Sequence, residues 1–394
     1  MKRIVNFVIL CLIFCPYLIA FAQTADAPQV PGTVVAHSPA TSGLYIGSPS
    51  LCVLPNGDYL ASHDLFGPKS EEFERPISRI YRSQDRGKTW IPIADLIGQF
   101  WSKLFVHRGK LYLLGTNKHH GDMIIRTSLD NGVTWSEPYN SENGLLLKGE
   151  YHCAPVPLVE HNGRLWRAME DAMGPVKQWG KRYGAFMLSI PIYADLMDAR
   201  NWSRTNVMRY DSTYLNGHFG GWLEGNAVVT PDGQLLDILR VDDKSTLNEK
   251  AALVAISSDG KTATFNPATG FISFPGGSKK FCIRYDPKTH SYWTLANMIP
   301  DDIQALNTGK NPASIRNTQA LCRSTDLRHW DTKEIIVTHP DVVKHGFQYV
   351  DWQFDGRDMI FLSRTAFDDS DGGAHNNHDA NFLTFHRIKN FRKR

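Results

Sequence analysis

Several stretches of the chain set ionisable side chains at a similar distance past a tight turn. His63-Asp64, Lys118-His119-His120, Glu170-Asp171, Arg240 to Asp243, Asn297 and Arg364 each follow such a turn by roughly six to ten residues. Imidazole and carboxylate groups brought together suit general acid–base chemistry. Guanidinium groups bind anions, carboxylates above all, through paired N–H donors. Indoles give sugar rings a flat apolar face to pack on. The combination therefore reads as a site for a carbohydrate that carries a carboxylate, with a merely solvated polar rim as the plain alternative.

The elements that must position these residues are visible as a repeat. An apolar run meets a turn and a second apolar run follows: SLCVLPNGDYLAS around Gly57, LFVHRGKLYLLG around Gly109, PLVEHNGRLWRAM around Gly163, VVTPDGQLLDIL around Gly233, FCIRYDPKTHSYWTL around Lys288 and VDWQFDGRDMIFL around Gly356. Asn-Gly and Asp-Gly favour positive φ, so these are β-hairpins. Between them, Ser83-x-Asp85-x-Gly87-x-Thr89-Trp90 returns 45 residues later as Ser128-x-Asp130-x-Gly132-x-Thr134-Trp135, with worn copies at Ser257–Thr262 and Ser324–Trp330. This resembles the Asp box of sialidase-type β-propellers, and its chemistry is structural: Asp and Ser cap turn amides while Trp packs inward. Long helical periodicity is absent. The fold expected is all-β, one propeller of four-stranded antiparallel blades, six by repeat count, closed by pairing Phe382–Ile388 with Thr33-Val34-Val35.

Within that geometry the second strand of each hairpin and the start of the first reach the same mouth, away from the Asp boxes. The starts bring Tyr151-His152, Trp222 with Glu224 and Asn226, Lys279-Lys280, and Gln348 with Trp352. The substrate-binding candidates are Asp64, His119, His120, His152, Glu170, Trp222, Glu224, Arg240 and Arg364. A register slip of one residue turns any one of them outward. His119 and His120, adjacent on a strand, point to opposite faces and do not readily share one ion. His375-Asn-Asn-His378 offers the candidate ligands for a structural calcium or zinc ion; otherwise no cofactor is required. No catalytic carboxylate pair is visible, because the relevant separation is spatial.

Lys2 and Arg3 followed by an apolar run to Ala22 read as a signal peptide, residues 1–22, cleaved before Gln23. The remaining 23–394 is then a single exported domain, expected in the periplasm and without membrane insertion. A net charge of +3 over 394 residues gives no reason to expect nucleic acid as a partner, and a monomer suits closed blades. Cys52, Cys153, Cys282 and Cys322 form no C-x-x-C pair and sit in apolar runs, as buried thiols do.

Gly47-Ser-Pro-Ser50, Leu54-Pro-Asn-Gly57, Ala61-Ser-His63-Asp-Leu-Phe-Gly-Pro68, Asn117-Lys-His-His-Gly121, Arg164-Leu-Trp-Arg-Ala-Met-Glu170 and Ala374-His-Asn-Asn-His-Asp-Ala-Asn381, leading to Phe385-His-Arg387, resemble glycoside hydrolase family 145 over nearly the whole exported chain. The resemblance implies an exo-acting α-L-rhamnosidase that removes L-rhamnose linked α-1,4 to D-glucuronic acid on arabinogalactan-protein glycans. It carries the family's single catalytic histidine to His63, and it implies seven blades, the extra one hidden between Thr262 and Gly277.

Three other readings use the same rim. A lyase similar to the propeller-fold ulvan lyases would draw its carboxylate neutraliser, base and acid from His119 or His120, His152, Tyr183 and Arg240. An exo-sialidase needs an arginine triad and a Tyr–Glu nucleophile pair, and its early Phe-Arg-Ile-Pro motif is absent, the segment before the first Asp box reading Arg75-Pro-Ile-Ser-Arg79. A non-catalytic glycan-binding propeller needs only the basic rim and the Trp platforms.

Overall fold

The structure, a computed structural model, describes residues 29–394. The expected signal peptide lies outside the described residues. All six turns of the repeat join antiparallel pairs: Ser50–Val53 with Tyr59–Phe66, Phe100–His107 with Lys110–Thr116, Val159–His161 with Arg164–Asp171, Phe219–Val229 with Leu235–Asp243, Cys282–Asp286 with Ser291–Ala296, and Gly346–Asp355 with Asp358–Ala366. Five of these turns hold their glycine at positive φ, between 64° at Gly356 and 91° at Gly57; the lysine copy puts His290 there instead, at 48°. Further strands extend each hairpin outward, and Phe382–Ile388 pairs with Thr33–His37, Thr33 opposite Phe385, as the closing strands were expected to do. The fold is thus the all-β propeller architecture read from the sequence. The segment from Thr262 to Gly277 contains no extra blade: Ala263–Thr264 and Phe271–Ser273 both pair with Lys250–Ile256 at the outside of an existing sheet.

The Asp boxes are formed as their chemistry predicts. Asp85 accepts from the Thr89 amide at 2.9 Å and the Thr89 hydroxyl at 2.6 Å, while the Trp90 indole N–H donates to the Gly87 carbonyl at 3.3 Å. The second copy repeats each bond around Asp130. They sit at the turn end of the blades: Tyr59 pairs with Ser83, which opens the box, whereas Asp64 pairs with Ser78 at the other end. Cys52, Cys153, Cys282 and Cys322 are buried free thiols.

Halfway along the axis, between the two mouths, Lys103, Lys280 and Asp351 are each no more than 2% exposed. Asp351 ion-pairs with Lys103 and accepts from the Leu51 amide at 2.7 Å; Lys280 donates to the Val350 carbonyl at 2.6 Å. On the turn side of this plug the strands diverge into a funnel of about 840 Å³.

Candidate active site

On the other side of the plug lies a cavity of about 330 Å³, whose wall includes Asp64, His119, His152, Glu224, Arg240, Arg364 and His378. The structure thus gathers seven of the sequence candidates around one space. Each arrives by the route expected, from the far end of a second strand, the start of a first strand, or the loop beyond the last hairpin.

Three first strands depart from regular alternation where they meet the cavity. Each pairing register shifts, between Phe100 and Lys103, Leu223 and Asn226, and Gln348 and Asp351. At each shift a large residue adopts positive φ: Trp101 at 47°, Glu224 at 58° and Tyr349 at 54°. These are β-bulges, which re-aim a side chain that plain pleating would direct elsewhere. Left-handed backbone at non-glycine residues costs on the order of 1–3 kcal/mol each and gathers where structure serves function. Here all three bulged side chains line the cavity.

Arg240, Arg316 and Arg364 surround the Tyr349 ring and the Glu224 carboxylate. The Arg364 guanidinium lies between two rings, 4.5 Å from the centre of Phe66 and 4.7 Å from that of Tyr349; Arg316 stands 5.7 Å from Tyr349. Arg240 donates to Glu224 at 2.9 Å, and its Nε is buried without a partner. Arg316 is anchored by Gln348 at 2.6 Å, and Arg364 Nε by the His378 carbonyl at 3.0 Å. Although burial opposes it, the positive field of Arg240, together with His152 and Arg316, holds the Glu224 carboxyl below its usual range. Three buried cations share the cavity with the carboxyls of Glu224, Asp64 and Glu72, and burial pushes the last two toward their neutral forms, so an excess of positive charge remains, which invites an anionic ligand.

Asp64 shows the opposite behaviour. Its carboxylate accepts from the Ser78 hydroxyl at 2.6 Å and the Trp101 amide at 2.9 Å. Burial outweighs those bonds and pushes its pKa up to about 7. A carboxyl that still holds a proton near neutrality is equipped to act as a general acid.

The opposite wall is aromatic and imidazole. Trp101 packs 4.3 Å from His152 and 4.5 Å from His119, measured between ring centres. His152 is tied by Nδ1 to Glu170 at 2.8 Å, and Glu170 accepts in turn from the Gly225 amide at 3.1 Å. His120 joins the Tyr183 hydroxyl at 2.9 Å. Burial lowers the pKa of His119 to about 3.

Other candidates lie elsewhere. His63 does not line the cavity. Its ring is buried, Nδ1 donating to the Asp64 carbonyl at 2.8 Å and Nε2 accepting from the Tyr81 hydroxyl at 3.2 Å, and burial lowers its pKa to about 4. Neighbouring strand residues face opposite sides, so placing Asp64 in the cavity turns His63 away from it. Glu170 and His120 stand behind the lining residues. Trp222 is no platform: it is fully buried beside Phe219 and Phe265, its indole donating to the Met208 carbonyl at 3.1 Å. His375 packs on Tyr45, and His378 contacts Asp379 at 2.8 Å. Neither belongs to a group of three side chains at metal-ligand spacing; the group with that spacing among the described residues is His37, Asp369 and Asp371. Arg79, from the segment before the first Asp box, is bound to Asp95 at 2.6 Å outside the cavity. Tyr349, Arg316, Trp101, Trp179 and Glu72 are among the cavity residues that sequence reasoning did not single out.

No protein-family model matches this chain, and no curated protein does. Solved structures do. The chain is similar to the Penicillium chrysogenum α-L-arabinanase complexed with arabinobiose, at 17% identity over 91% of this chain and 98% of that one, with a TM-score of 0.54. It is similar to the family 93 α-L-arabinofuranosidase of Fusarium graminearum, at 12% identity over 92% and 98%, TM-score 0.57. It is also similar to the Trypanosoma rangeli sialidase in complex with sialic acid, at 15% identity over 91% and 56%, TM-score 0.53. These likenesses establish the shared propeller fold.

Proposed function

We propose that the protein is an exo-acting glycoside hydrolase for a terminal sugar that bears a carboxylate beside its anomeric carbon, a sugar acid of the sialic type. The observation that carries this reading is the cage of Arg240, Arg316 and Arg364 around Tyr349 and Glu224. The arginines hold the substrate carboxylate. With an anion next to the reacting carbon, a carboxylate nucleophile would be repelled, whereas a neutral phenol is not; sialidases are an established exception to the carboxylate pair for this reason. Tyr349 attacks the anomeric carbon and passes its proton to Glu224. Asp64 gives its proton to the departing oxygen, and water, giving a proton back to Asp64, later releases the sugar from Tyr349 as Glu224 returns its proton to the phenolate. The propeller neighbours include enzymes whose structures hold arabinobiose or sialic acid, which supports a carbohydrate substrate.

The rhamnosidase activity implied by the family resemblance also involves a carboxylate-bearing glycan, but it rests on His63, which contacts Tyr81 instead of the cavity. A uronate lyase is favoured by one observation: His152 and Arg240 line the cavity, and the bonded pair His120–Tyr183 packs directly behind His152. One assay separates these outcomes. The protein is incubated with α-2,3-sialyllactose and with rhamnose-α-1,4-glucuronate, following free sialic acid, free rhamnose and ultraviolet absorbance. Sialic acid release that falls at least about a hundredfold in Tyr349→Phe supports the proposal. Rhamnose without new absorbance means the rhamnosidase. Absorbance from an unsaturated uronate means a lyase, and binding without any product means a lectin-like propeller.

A further inference from the structure

The cavity continues past Trp179. A second depression of about 290 Å³ adjoins it, and Trp179, Arg240, Arg316 and His378 line both. A ligand in one is therefore in contact range of a ligand in the other. The remaining wall of the second depression is polar and includes Asp242, Lys244 and Asn311. Beyond the two arginines it shares with the first cavity, its charges are paired, with Lys244 3.7 Å from Asp242.

Trp179 is 47% exposed, although it stands among rings that fix its orientation. Its ring is 5.0 Å from Tyr183 and 5.7 Å from His152, nearly perpendicular to both, so its orientation is held while about half of it stays exposed. The backbone beside it is seated by glycines. A Cβ on Gly180, at φ 83°, would lie 2.5 Å from the Gly220 carbonyl, and one on Gly221, at φ 123°, 2.3 Å from the Gly180 carbonyl. The loop carrying Trp179 thus presses backbone to backbone against the strand that also carries Glu224, an approach only glycine permits. The result is an indole pre-positioned at the border of two pockets rather than a mobile surface side chain.

An indole face flanked by amide, carboxylate and ammonium groups is the chemistry that receives a neutral, hydroxyl-rich ring. The C–H face packs on the indole while hydroxyls reach the polar groups. We propose that the second depression is the leaving-group subsite, binding a neutral hexopyranose to which the acidic sugar is linked, with Trp179 as its platform. This rests on the acidic-sugar hydrolase reading and adds the second sugar to it.

The test compares kcat/KM for α-2,3-sialyllactose with that for methyl α-sialoside, whose leaving group ends before the second depression. The ratio of the two should fall about tenfold or more in Trp179→Ala and Asn311→Ala, mainly through KM of the lactoside, and recover in Trp179→Phe. A purely structural role would lower both substrates together and leave the ratio unmoved, which would overturn the proposal. If the wild type turns over neither substrate, the hydrolase reading fails, and the subsite is judged by saturation-transfer NMR with lactose. Lactose signals lost in Trp179→Ala support it; no signal from the wild type sinks it.

Discussion

The Asp64 carboxylate accepts a hydrogen bond from the Trp101 amide at 2.9 Å, so the acid on one hairpin is held by the bulge of the next. The bulge that turns the Trp101 ring toward His119 and His152 also presents this N–H. Acid and aromatic wall are therefore set by a single backbone distortion.

Because burial raises the Asp64 pKa to about 7, turnover should decline as pH rises through about 7, when the carboxyl loses the proton it must deliver. A pH profile of kcat/KM on a sugar leaving group should show that limb. An aryl leaving group, which departs without a proton, should weaken or abolish it. The same shift has a stability consequence. The folded carboxyl keeps a proton that the unfolded one has released, so this group's contribution falls as pH rises from about 4 to about 7. Asp64→Asn should flatten that part of the stability curve, measured as Tm against pH.

Arg316→Met and Arg364→Met should each lower kcat/KM by roughly tenfold to a hundredfold, from the usual worth of charged hydrogen bonds. The methyl ester of the substrate, lacking the anion, should be nearly insensitive to either change. Equal losses on acid and ester would count against a carboxylate-binding cage.

His63→Ala removes a buried ring with both nitrogens bonded, one to the Asp64 carbonyl and one to Tyr81. The expected effect is a loss of about 1–3 kcal/mol in chemical denaturation with kcat largely kept. A folded variant without activity would return catalysis to His63. The native ring, its pKa lowered to about 4, resists protonation that the unfolded chain accepts, so this residue's contribution should shrink as pH falls from about 6.5 toward 4.

Lys103→Met takes from Asp351 the nearer of its two ion-pair partners, Arg284 remaining at 3.7 Å, and should cost up to about 3 kcal/mol; adding Asp351→Leu, which leaves Lys280 and Arg284 without that anion, should cost further rather than recover the loss. Urea denaturation of the three proteins measures it.

How far the sequence reached depended on whether a feature was local. The Gly57, Gly109 and Gly163 turns and the Asp85 and Asp130 boxes are written in neighbouring residues, so they and the propeller they imply were legible. Asp64, Arg240 and Arg364 lie on second strands that keep register with the strand outside them, and counting from the turn brought each to the right mouth. Tyr349 and Trp101 escaped because a bulge leaves no mark in residue types: strict alternation drew attention to Gln348, which instead anchors Arg316. Arg316 escaped because it follows the short helical turn Pro312–Ser314, outside any strand. His63 and Asp64 differ by one position, and only the pairing decides which of them faces inward.

The plug of Lys103, Lys280 and Asp351 makes the candidate site a blind alley. On the proposed reading, a glycan would enter and its fragments leave through one opening, so the freed acidic sugar, held by the three arginines, would depart after the piece that was attached to it. Such an order makes the acidic sugar a competitive inhibitor of the next round, while the second sugar, nearer the mouth, inhibits only noncompetitively.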